Sequence, residues 1–121
     1  MKKLLVSTLL LGAVAMFSAS SANAQAAAPP KGDAAKGKAR YTAVGCYQCH
    51  GYLGQGSNAG AKLAPKPLPL AAMTAYVRKP SGVMPPVTAK VVSDQDMADM
   101  HAFLSSIPPA PDPKSLPLLN Q

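Results

Sequence analysis

From Leu4 to Phe17 the chain is apolar and uncharged. Lys2 and Lys3 precede that run, and small residues follow it, ending in Ala22-Asn23-Ala24. A basic start, a short apolar stretch and an A-x-A site form the pattern of a secretory signal peptide. The apolar stretch is about 14 residues, short for a bilayer span at 1.5 Å of rise per residue. Residues 1–24 are therefore expected to be a cleaved leader and not a retained anchor. Residues 25–32, small and tipped by Pro29-Pro30, read as a disordered leader to the domain.

Beyond this point the pattern turns helical. Asp33 is placed to N-cap a helix running to Val44, and Gly45 to end it in a left-handed C′ position. Gly37 lies inside that helix at a cost of about 1 kcal/mol relative to Ala, which implies close approach by another element. Tyr41 follows one turn later on the same face. Gly51 to Gly60 is a glycine-rich loop, and Lys62 to Pro69 alternates Pro with Leu and Lys as extended chain. Leu70 to Arg78 is a second helix, stopped by Pro80. Ser81 to Pro86 is a tight loop carrying Met84.

Ser93 opens a third helix with Asp94 and Asp96 in its first turn, where the helix dipole favours anions. Its apolar stripe is Met97, Met100, Leu104 and Ile107, with Phe103 beside it. Prolines at 108, 109, 111, 113 and 117 predict an extended, non-helical tail over 108–121. Val87 to Val92 is the best strand candidate and is short. The reading is an all-α domain over residues 33–107, about three helices joined by long loops. Loops of that length need something to pack against.

A chain of 121 residues allows one small domain. Its own core is marginal at that size, and such domains usually add disulfides, metal or a cofactor. Lys and Arg number 12 against five acids, a formal charge of +7 that Lys2 and Lys3 would reduce on leaving with the leader. Basic charge alone also suits nucleic acid, but an exported chain without a basic–aromatic stripe argues against it. Six methionines and two cysteines in so small a protein hint at sulfur ligand chemistry.

Cys46-Tyr47-Gln48-Cys49-His50 is C-x-x-C-H, the sequence of covalent c-type haem attachment. Two thiols at that spacing each add to one haem vinyl group, and the adjacent His50 is then the proximal iron ligand. A thioredoxin-like disulfide would want a strand before it. A zinc site would want two more Cys or His, and only His101 remains. A plain disulfide across two residues closes too small a loop to stabilise much.

Haem iron has a sixth position, for which Met73, Met84, Met97, Met100 and His101 are the candidates. Met97 and Met100 lie on the apolar stripe and read as core. Met73 faces either the core or the haem wall, and His101 reads as solvated. Met84, held between Pro80 and Pro85-Pro86, is the expected distal ligand.

In order along the chain, Gly37, Tyr41, Cys46-Tyr47-Gln48-Cys49-His50-Gly51, Met84-Pro85-Pro86 and Phe103-Leu104 resemble the class I c-type cytochromes, over Gly32 to Ile107. The resemblance implies a small cytochrome c fold wrapped around one covalent haem c. It also implies that the first and last helices cross, with Gly37 against Phe103. Family members often have Gly-Pro where this chain reads Gly60-Ala61, and the Pro carbonyl there accepts a hydrogen bond from the proximal histidine.

The function implied is single-electron transfer in the periplasm, between a dehydrogenase and the respiratory chain, with no catalysis by the protein itself. The cytochrome subunit of a periplasmic dehydrogenase and a soluble carrier feeding a terminal oxidase are both open. Lys36, Lys38, Arg40, Lys62, Lys66, Arg78 and Lys79 flank the haem-bearing segments while acids cluster in the last helix, so an acidic redox partner is expected. The Pro-rich tail, with Leu116, Leu118 and Leu119, would cover either a partner or the haem pocket. The alternative is a haem protein with an open sixth position that binds a small ligand or reduces peroxide. That reading wants polar groups near Met84, where the chain has Pro, Gly and Val.

Overall fold

The computed structural model describes residues 28–119; the expected signal peptide lies outside them. Four α-helices follow in order: α1 (Ala34–Ala43), α2 (Tyr47–His50), α3 (Leu70–Arg78) and α4 (Asp94–Ser106). Among the described residues there is no strand, only an isolated antiparallel bridge between Ser57 and Gly60. Val87 to Val92 forms turns instead.

The helix starts are local chemistry. The Asp33 carboxylate accepts from the main-chain N–H groups of Ala35 and Lys36, satisfying donors at the start of α1 that have no partner within the helix. Ser93 and Asp96 form a reciprocal capping box at the start of α4. Gly45, at φ 81°, turns the chain out of α1. The turn that follows forms α2, a helix beyond the three expected, within the C-x-x-C-H segment itself.

α1 packs across α4, and α3 makes a smaller contact with α4. Tyr41, Val92, Met97 and Leu104 are the largest fully buried side chains, with Ala64, Met73, Met100 and Phe103 completing the core. Met97 and Met100 are thus core residues, and Met73 also turns inward.

The first and last helices cross at Gly37, as expected. A Cβ at Gly37 would strike the main chain of Asp99 and Met100. Beside it Phe103 meets Tyr41, ring centroids 5.6 Å apart at 57°. Gly37 serves backbone approach, and the aromatic pair fills the space beside it.

The last residues of the 25–32 segment lie against α4. Gly32 is pressed against the Ala98 carbonyl and Ala102, and Gln95 Nε2 donates to the Lys31 carbonyl at 2.9 Å. Buried Asp99 completes the clasp, accepting from the Asp33 N–H at 2.8 Å and from Gln95 Nε2 at 2.9 Å.

The tail is not wholly extended: Pro113–Ser115 and Pro117–Leu119 are 3-10 turns. Proline's fixed φ suits the first position of such a turn. Asp112 caps the first one through the Lys114 N–H.

Candidate cofactor site

Cys46 is the N-cap of α2, Cys49 lies within it and His50 is its last residue. The three stand at i, i+3 and i+4 along one helical turn, which places them on one side of it. The His50 N–H donates to the Cys46 carbonyl at 3.0 Å and the Gly51 N–H to the Tyr47 carbonyl at 2.9 Å, closing the turn. Both cysteines are unpaired thiols, Cys46 half-buried and Cys49 exposed. Burial pushes the Cys46 thiol above its ordinary value, so it stays protonated at neutral pH.

His50 is oriented from outside the helix. Its Nδ1 lies 2.7 Å from the Ala61 carbonyl oxygen. A carbonyl only accepts, so Nδ1 carries the proton and the Nε2 lone pair is left for a metal. The loop that brings Ala61 there is itself pinned. The Gly56 N–H donates to the His50 carbonyl at 2.8 Å, the Ser57 N–H to the Gly60 carbonyl at 2.9 Å, and the Ser57 hydroxyl to the Cys49 carbonyl at 2.5 Å. Behind the turn, the Tyr41 hydroxyl donates to the Gly51 carbonyl at 2.9 Å.

Met84 is carried on a different element, half-buried in the loop after α3. That loop is clipped at both ends. The Tyr76 hydroxyl donates to the Ser81 carbonyl at 3.1 Å. The Val87 N–H donates to the Val77 carbonyl at 3.0 Å, and Arg78 Nη1 to the Val87 carbonyl at 3.0 Å. His101 is half-buried, and its Nε2 lies 3.1 Å from the Leu68 carbonyl in an exposed contact that ties α4 to the extended segment.

Two unpaired thiols and an imidazole that donates through Nδ1, leaving Nε2 to face a metal, are the donor set that covalent haem attachment requires. Neither thiolate-metal chemistry nor a further cluster competes for them: no group of three His, Cys, Asp or Glu suited to a metal ion occurs among the described residues. The residues present fit haem c.

The sequence from 32 to 104 matches the family described as cytochrome c oxidase, cbb3-type, subunit III. The chain belongs to this family. No curated protein and no solved structure matches the chain. The domain is thus a class I-like monohaem c-type cytochrome domain, all-α, with one covalently bound haem c. A cytochrome c domain implies electron transfer with redox partner proteins. Cytochrome c domains of this kind are typically extracytoplasmic, and no helix among the described residues is long and apolar enough to cross a membrane.

Of the acids of α4, Asp94 pairs with Arg78 at 2.9 Å while staying largely exposed, Asp96 pairs with Arg40 at 3.4 Å, and Asp99 is buried. Lysines 31, 36, 38, 62, 66, 79 and 90 are all exposed. Arg40 and Arg78, read earlier as part of the basic surface, act within the fold instead. Arg40 also donates to the Val91 carbonyl.

Proposed function

We propose that Cys46 and Cys49 hold haem c through two thioether bonds, that His50 Nε2 is the proximal iron ligand and that the Met84 thioether is the distal one. The observation that carries this reading is the 2.7 Å contact between His50 Nδ1 and the Ala61 carbonyl, which fixes the tautomer a metal-ligating histidine needs. The bound group supplies the one-electron Fe(II)/Fe(III) couple.

Each residue then has a physical task. Cys46 and Cys49 anchor the group to a domain whose own core is small. His50 donates from a ring held at Nδ1 by the Ala61 carbonyl. Met84, on a loop stiffened by Pro80, Pro85 and Pro86 and clipped by Tyr76, Arg78 and Val87, offers a soft neutral donor that favours the reduced metal.

The protein carries single electrons in the periplasm between a dehydrogenase and the respiratory chain, residues 1–24 directing its export and then leaving. The family name, that of a cytochrome c oxidase subunit, supports an oxidase as the acceptor. An acidic partner docks on the exposed lysines, since the acids that would oppose it are paired or buried.

The test is holoprotein purified from a host with haem-maturation machinery. The intact mass rises by one haem on a chain beginning at Gln25, and pyridine treatment gives a haemochrome. Replacing Cys46 and Cys49 with Ala abolishes both. An intact mass without haem overturns the assignment. Reduction rates with an acidic partner that do not change with ionic strength overturn the docking.

A further inference from the structure

Ser57 is an exposed serine in the loop after α2, and it makes three hydrogen bonds there. Its hydroxyl donates to the Cys49 carbonyl at 2.5 Å and accepts from the Ala59 N–H at 3.0 Å, while its N–H donates to the Gly60 carbonyl at 2.9 Å. Cys49 immediately precedes His50, and Gly60 immediately precedes Ala61. One residue therefore joins the two segments that carry the imidazole and its acceptor, its hydroxyl bridging the Cys49 carbonyl and the Ala59 N–H and its main chain holding Gly60. The two are tightly apposed: a Cβ at Gly60 would lie 2.7 Å from the Cys49 carbonyl oxygen.

We propose that Ser57 is a positioning residue for His50, its hydroxyl fastening the Gly60–Ala61 turn to Cys49 so that the Ala61 carbonyl stays on the imidazole Nδ1. Position 61 is alanine, whose φ is not locked as a proline's would be. The carbonyl needs another restraint, and the Ser57 bridge is the one that joins its turn directly to the residue beside His50. The inference rests on His50 being the proximal ligand. A ring that donates through Nδ1 is a more basic ligand through Nε2 and stabilises the oxidised metal. Loosening the turn weakens that donation, which raises the reduction potential.

The experiment compares holoprotein with Ser57, Ser57→Ala, Ser57→Thr and Gly60→Ala. Proton NMR of the reduced protein follows solvent exchange of the His50 Nδ1 proton, and potentiometry follows the midpoint. Ser57→Ala is expected to speed exchange by about an order of magnitude, the scale of one lost hydrogen bond, and to raise the potential. Ser57→Thr keeps the hydroxyl and restores both. Gly60→Ala pushes the same turn off Cys49 with Ser57 intact and should move both readouts in the same direction as Ser57→Ala.

If Ser57→Ala gives no holoprotein, the Thr and Gly60 variants still decide the matter. Exchange and potential unchanged in Ser57→Ala or Gly60→Ala, in a protein whose haem mass and haemochrome are normal, overturn the role of Ser57 alone. Lack of haem in the unaltered protein overturns the ligand assignment, and this inference with it.

Discussion

Gly37 of α1 lies against the main chain of Asp99 in α4, so closely that a Cβ at position 37 would overlap the Asp99 carbonyl. In an exposed helix interior, Gly→Ala stabilises by about 1 kcal/mol. Here the sign reverses. Gly37→Ala has to part the two helices that bury Tyr41, Met97 and Phe103, and overpacking of that kind costs about 1–3 kcal/mol. Denaturant unfolding of the holoprotein should show a lower midpoint with an unchanged slope. A midpoint at or above that of the unaltered protein would show that the helices do not cross at Gly37.

Tyr41 and Gly51 link the same helix to the cofactor motif. The Tyr41 hydroxyl donates to the Gly51 carbonyl at 2.9 Å, and burial holds its phenol well above the ordinary value, so it remains a donor through the alkaline range. Tyr41→Phe keeps the ring packed on Phe103 but leaves the carbonyl without that donor. The expected loss is about 1–2 kcal/mol in unfolding free energy.

Such links explain what could be read from the chain and what could not. Asp33, Ser93 and Pro80 act within a few residues of themselves, so the bounds of α1, α3 and α4 followed from local chemistry. The C-x-x-C-H spacing is likewise contained in one turn. Gly37 announced a close approach but not its partner, because that depends on how two helices cross, and the partner proved to be main chain.

The contact of His101 with the Leu68 carbonyl could not be read from the chain because the two lie 33 residues apart. Ser57 gave no signal at all: a serine in a glycine-rich loop is the commonest of turn residues, and its bond to Cys49 exists only once the loop folds back. The clips on the Met84 loop, from Tyr76 and Arg78, were hidden for the same reason.

Acid should weaken the domain at its helix starts. The main-chain N–H of Lys36 holds the Asp33 carboxyl below its ordinary value of 3.8, and that of Ser93, helped by Arg40, does the same for Asp96. A carboxylate whose value is lowered on folding contributes stability that is fully present above the unfolded value and is lost as pH falls through the folded one. Stability from these two groups therefore holds above about pH 4 and declines below it. Asp96→Asn removes that group's share, flattening the acid limb of a stability–pH curve. An acid limb of unaltered steepness would mean that Asp96 is not charged and bonded at the helix start.

Met84 and Met97 are the same residue type with opposite expected behaviour. Met97 is 1% exposed in the core, whereas Met84 is half-buried in a clipped loop. Met97→Ala should cost about 2–5 kcal/mol of stability through the cavity it leaves, with the optical spectrum unchanged. Met84→Ala leaves no cavity in that core. Its expected effects are loss of the weak far-red band of the oxidised protein and a lower reduction potential, because the soft sulfur that favours the reduced metal is gone. Measuring both variants by unfolding and by spectrum separates a packing sulfur from a ligating one. A far-red band that survives Met84→Ala would move the distal ligand elsewhere. An oxidised spectrum that is already high-spin in the unaltered protein would instead make the sixth position open.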